Sequence, residues 1–171
     1  PVYYYHIPVL TGVSMPMAGF LKKISTMLPN FAGIKFSHDD FMDFQLCLNF
    51  ENGRYEMLFG KDECLLSALV LGCKGAVGST YNYAAPLYYA LIEAFKRNDL
   101  GEARKLQISA VVIVSLLGKY GGISVGKSFM KLTGMDCGEF RSPVKNMTPE
   151  MYDEFSRDVR MLKLDSLFSK K

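Results

Sequence analysis

A lysine set in a small and apolar run, Ala32-Gly33-Ile34-Lys35-Phe36-Ser37, is the residue of this 171-residue sequence with the clearest chemical potential. In a strand, successive side chains alternate, so Gly33, Lys35 and Ser37 share one face while Ile34 and Phe36 share the other. The apolar pair would face covering helices and Lys35 the interior of a barrel. Exclusion of water there disfavours an ammonium and leaves an amine able to form a Schiff base with a carbonyl compound. By spacing alone the same lysine also fits an edge strand, its stem on the surface and its charge in water, which is the commoner fate of lysines.

Other residues could assist that chemistry. Tyr5 closes the run Tyr3-Tyr4-Tyr5 ahead of His6-Ile7-Pro8, at the C-terminal end of a first strand, where barrel active sites gather. Its phenol could move a proton, although tyrosines in strands commonly just pack, the expectation for Tyr3 and Tyr4. Gly60 and Gly78 end a third and a fourth strand, as turn glycines or as places where a side chain would obstruct a close approach. Asp62 and Glu63 follow at a strand-to-helix junction, where carboxylates bind hydroxyls or simply cap a helix. Gly78-Ser79-Thr80-Tyr81-Asn82 offers hydroxyls to a polyol or carboxylate ligand. His6 and His38 read as structural.

The elements that must position these residues follow from hydrophobic period. Short β-rich runs at Val2–Pro8, Ala32–Ser37, Glu56–Asp62 and Gly75–Thr80 alternate with helical spacing. Met15–Met27 carries Met17, Phe20, Leu21 and Ile24 on one face, with Ser14 as its expected N-cap. Asp39–Phe50 carries Phe41, Phe44, Cys47 and Leu48, with Ser37 or His38 near its cap. Helices at Asp62–Leu71 and Pro86–Lys96 complete four strand-then-helix units, the mark of a parallel sheet. A (β/α)8 barrel needs about 250 residues, so four units make the C-terminal half of one. Residues 1–98 form that half. Residues 99–171 read as an all-helical extension of the same domain: Leu100–Tyr120 capped by Asp99, Ile123–Thr133, and a last helix from Thr148 to about Phe168. The loop Gly134–Met147 between the last two is the expected flexible segment.

Composition narrows the function. With 49% hydrophobic and 22% charged residues the chain is expected to fold around a core, and no apolar stretch approaches the length of about 20 residues that crosses a bilayer. A net charge of +3 without a basic run gives no reason to expect nucleic acid. The cysteines Cys47, Cys64, Cys73 and Cys137 form no C-x-x-C pair and suit a reduced, cytoplasmic setting, and two histidines give no metal site. The sequence opens on Pro1 without an initiator methionine or a secretory leader, as the tail end of something longer would.

Four ordered motifs then carry a resemblance. Tyr5-His6-Ile7-Pro8 with Thr11-Gly12, Gly33-Ile34-Lys35-Phe36-Ser37, Phe59-Gly60-Lys61-Asp62-Glu63, and Gly75-Ala76-Val77-Gly78-Ser79-Thr80-Tyr81-Asn82 together are similar, in order and spacing, to the N-acetylneuraminate lyase family. The similarity runs over residues 1–135. It implies a cofactor-free class I aldolase, usually a homotetramer, that cleaves N-acetylneuraminate to N-acetylmannosamine and pyruvate on a (β/α)8 barrel. It further implies that Lys35 forms the Schiff base, that Tyr5 moves the proton, and that Ser37, Gly60, Asp62, Glu63 and Ser79 hold the sugar. Dihydrodipicolinate synthases resemble the chain too, but typically carry an arginine where Leu10 stands, which favours the lyase over the synthase and over keto-deoxy-sugar aldolases. Two details depart from the family pattern: Lys61 holds a position often apolar or aromatic, and Ser37 one where threonine also occurs. The family's early glycine- and threonine-rich motif, which binds the pyruvate carboxylate, has no counterpart. An open half-barrel is therefore expected to be inactive alone, and a fragment acting only by association is the other reading.

Overall fold

Strand and helix alternate as the hydrophobic period requires in the computed structural model, which describes residues 1–163 and 165–169. The chain divides into two compact units, Pro1–Gly78 and Ser79–Lys171.

In the first unit, β1 (Val2–His6), β2 (Phe31–Phe36), β3 (Glu56–Phe59) and β4 (Gly75–Ala76) form one parallel sheet in sequence order. The connections hold α1 (Pro8–Thr11), α2 (Met17–Met27), α3 (Phe41–Asn49) and α4 (Leu65–Val70). Burial of apolar side chains between sheet and helices drives the arrangement. Ile34, Phe36, Met57 and Phe59 of the sheet pack with Met17, Leu21, Phe44, Cys47 and Ala68 of the helices in one buried cluster. Phe44 lies between Phe36 and Phe59, its ring centroid 5.1 Å from each.

Several expected boundaries shift for local reasons. Ser14 does not cap α2. Asp43, reaching across from α3, accepts from the backbone N–H of Met17 at 2.6 Å and of Ala18 at 3.0 Å. The cap of α3 is Asp40, accepting from the Asp43 N–H, and not Ser37 or His38. Pro8 begins α1 instead of ending β1, since its fixed φ suits a first helical turn. β4 keeps two residues of the expected six, and β3 ends at Phe59, before Asp62. Asp62–Cys64 make a 3₁₀ turn ahead of α4.

The second unit is helical: α5 (Tyr81–Lys96), α6 (Leu100–Lys119), α7 (Val125–Leu132) and α8 (Pro149–Met161). α5 starts five residues before the expected Pro86, with Pro86 inside it and non-helical geometry at Ala84. The strand-then-helix repeat assigns α5 to the fourth βα unit, yet it packs against α6 and α7. Tyr83 stacks on Phe129 at 4.4 Å, and Phe129 meets Phe155 edge-on at 4.8 Å, joining α5, α7 and α8. Asp99 and Thr148 cap α6 and α8 as the sequence predicts, accepting from Glu102 and Met151. Gly122–Ser124 form a 3₁₀ turn where a helix start was expected, and α8 stops at Met161, with another 3₁₀ turn at Asp165–Leu167. The expected run of the last helix past residue 163 and of the chain to 171 touches residues 164, 170 and 171, which lie outside the described residues. Among the described residues no single helix is long and apolar enough to cross a membrane.

Candidate active site

One extra residue in β2 decides which side chains meet. Val2 pairs with Phe31, but Tyr3 pairs with Gly33, so Tyr5 stands opposite Lys35; with unbroken register it would stand opposite Ile34. The irregularity lets Phe31 join the helix-side core while Lys35 faces the other way. The lysine Nζ lies over the Tyr5 ring, 4.2 Å from its centroid, a contact worth about 0.5–1 kcal/mol at an exposed site. Lys35 is half-buried, and Tyr5 is 46% exposed on the bare face of the sheet. The enclosure expected of a closed cylinder is thus not provided by these four strands.

The sheet ladder continues one residue past the strand ends: Ser37 N–H donates to the His6 carbonyl at 2.8 Å, and Gly60 N–H to that of Phe36 at 2.8 Å. Ser37 is buried, and its hydroxyl donates to the Gly60 carbonyl at 3.2 Å. A Cβ on Gly60 would come within 2.0 Å of Ser37 Oγ and 3.4 Å of Lys35 Cε. Gly60 therefore leaves room for the lysine stem and the serine. It is not among the residues with left-handed φ, so space and not a turn requires glycine there. Asp62 is buried and lies against Gly78.

Glu63 makes an ion pair with Lys61 at 3.5 Å while its side chain stays 30% exposed, and Lys61 also bonds Asp39. Burial alone would depress the Lys61 ammonium, but the carboxylates of Asp39 and Glu63 outweigh it and hold its pKa above the ordinary value. The departure at Lys61 is thus absorbed by an ion-pair cluster, for which Asp39 gave no sequence signal. On the Lys35 face, Tyr3 donates its hydroxyl to the Glu56 carboxylate, a polar tie that the tyrosine run did not announce. Tyr4 packs on Phe20 at 4.7 Å, as expected of a core tyrosine.

His6 is 1% exposed, on the opposite face, with its ring 5.1 Å from Phe36 and 5.5 Å from His38. Desolvation, then the neighbouring His38, lowers its pKa. Ser79 opens the second unit and is exposed, its carbonyl accepting from the Asn82 side chain at 2.9 Å. Thr80 beside it is fully buried and bonded to the Tyr88 hydroxyl at 2.5 Å, a structural role. Of the predicted site residues, the first unit brings together Lys35, Tyr5, Ser37 and Gly60, and places Asp62 and Glu63 just beyond the end of β3. Among the described residues no group of three potential metal ligands assembles.

Residues 1–162 match the dihydrodipicolinate synthetase family. The chain belongs to that family. Within it, the sequence is 43% identical to an N-acetylneuraminate lyase of Rattus norvegicus over 153 residues, covering 88% of this chain and 48% of the relative. It is 40% identical to that of Sus scrofa over 165 residues, covering 95% and 52%. The solved N-acetylneuraminate lyase of Proteus mirabilis superposes with a TM-score of 0.88 at 39% identity, over 93% of this chain and 54% of that one. The sialic acid aldolase of Aliivibrio salmonicida also gives 0.88, at 35% identity. The chain thus spans about half the length of these relatives, and its α/β parallel sheet corresponds to half of the family's barrel.

Proposed function

We propose that this chain supplies the Schiff-base half of a class I aldolase that cleaves N-acetylneuraminate to N-acetylmannosamine and pyruvate, once the complementary half of the barrel joins it in the same polypeptide or as a separate one. The observation that carries the reading is the placement of the Lys35 amine over the Tyr5 ring at the C-terminal ends of adjacent parallel strands. The likeness to N-acetylneuraminate lyases supports the choice of substrate.

The Lys35 amine attacks the ketone carbon of the open-chain sugar acid, and loss of water gives an imine. Protonated, this imine withdraws the electron pair of the breaking carbon–carbon bond, so cleavage gives an enamine in place of a free carbanion. The Tyr5 hydroxyl relays the proton lost by the substrate hydroxyl that becomes the aldehyde of N-acetylmannosamine, passing its own proton on as it accepts that one. Protonation of the enamine and hydrolysis release pyruvate and restore the amine. Ser37, Gly60, Asp62 and Glu63 hold the sugar, and no cofactor takes part in these steps.

Kinetics of the completed barrel test the assignment. Lys35→Ala is expected to abolish cleavage of N-acetylneuraminate. Tyr5→Phe is expected to lower kcat by about 100-fold or more while imine formation survives, the usual scale for loss of a proton-transfer group. Unchanged turnover in Tyr5→Phe would remove the phenol from its role.

A further inference from the structure

Asp62 stands three residues beyond the end of β3 and is only 5% exposed, with its carboxylate against the backbone of Gly78. A Cβ built on Gly78 would sit 1.5 Å from Asp62 Oδ1, 2.2 Å from its Cγ and 2.4 Å from Oδ2. No alanine fits there unless the carboxylate leaves. Gly78, like Gly60, is not among the residues with left-handed φ, so its backbone would accept any side chain if space allowed. The two glycines make a repeat one strand apart. Ser37, beyond the end of β2, rests on Gly60 beyond the end of β3; Asp62, beyond the end of β3, rests on Gly78 beyond the end of β4. Each missing Cβ is the slot for a polar side chain of the preceding strand.

We infer that Gly78 is a positioning residue that fixes the Asp62 carboxylate for the sugar portion of the substrate and so sets affinity for the polyol, without acting on the Lys35 amine. The inference rests on the lyase reading above. A carboxylate packed against the Gly78 backbone keeps one orientation and accepts hydroxyl hydrogen bonds without first being ordered, whereas a displaced one forfeits charge-assisted bonds to the sugar.

The test is a double-mutant cycle in the completed barrel, with Gly78→Ala, Asp62→Ala and the pair. Gly78→Ala is expected to raise KM for N-acetylneuraminate by about tenfold or more, the scale of one lost charge-assisted hydrogen bond, with a smaller change in kcat. Borohydride trapping of pyruvate should persist in every member of the cycle. In the Asp62→Ala background, Gly78→Ala should add no further rise in KM, and should fold even if the single Gly78→Ala variant does not. A KM within twofold of the parent's in Gly78→Ala, or an undiminished effect of Gly78→Ala when Asp62 is already alanine, would overturn the positioning role while leaving the lyase intact. A parent that traps no pyruvate would refute the lyase reading itself, and this inference with it.

Discussion

Lys35 and Tyr5 show what side-chain alternation can and cannot settle. Period two placed Ile34 and Phe36 against the helices and Lys35 on the other face, and the structure agrees because both apolar residues are fully buried in the core. That Tyr5, and not His6, stands opposite the lysine depends on the register shift after Val2, and nothing in a single run of three tyrosines announces it. Asp39, which anchors Lys61, was equally invisible, since the partner lies beyond the next strand. His6 illustrates the reverse case, a residue without a catalytic task but with a thermodynamic one. Its ring is buried among Phe36, Tyr4 and His38, and Nδ1 has no hydrogen-bond partner among the described residues. Burial and His38 lower its folded pKa, and Asp43 and Asp40 of the α3 end oppose the shift. The unfolded chain therefore takes up a proton near the ordinary value of about 6.5 before the folded chain does, so stability is full above that pH and declines as pH falls through it. Chemical unfolding followed by circular dichroism should show a lower midpoint at about pH 5.5 than at about pH 7.5, and His6→Leu should flatten that dependence. An equal slope in the variant would contradict the assignment.

At the level of elements, strand and helix order was legible because each helix carries an apolar stripe and each strand an apolar alternation. The caps were legible only where they are local. Asp99 and Thr148 serve the helices they begin, and spacing to Glu102 and Met151 reveals them. The cap of α2 comes from Asp43, 26 residues beyond Met17, and no local pattern discloses it. This buried carboxylate ties the start of α2 to α3, and thereby fixes the end of the segment that leads away from Tyr5. Asp43→Ala leaves two N–H groups of α2 without their acceptor and is expected to destabilise the first unit by about 1–3 kcal/mol, measured by urea unfolding, with Asp43→Asn recovering part of the loss. A cost below a few tenths of a kcal/mol would mean that water replaces the cap. The short β4 keeps Gly75 and Ala76 as paired strand, with one further ladder bond from the Val77 N–H to the Phe59 carbonyl at 2.9 Å before the run Gly78-Ser79-Thr80.

For the whole molecule, the half-barrel is the governing fact. Among the described residues β1 and β4 are the sheet edges, and the face bearing Tyr3, Tyr5 and Lys35 has no layer over it in the first unit, although parallel sheets are ordinarily covered on both sides. The chain spans about half the length of the relatives it matches. This arrangement was legible from the strand count and the family motifs, whereas the grouping of α5 with the later helices was not, because an amphipathic stripe does not reveal which neighbour it will bury against. Borohydride reduction of the completed barrel with pyruvate, followed by peptide mapping, measures directly whether Lys35 is the Schiff-base residue. The predicted result is one reduced pyruvyl group on the peptide containing Lys35, absent from Lys35→Ala; a label on any other residue, or one that persists in the alanine variant, would contradict it.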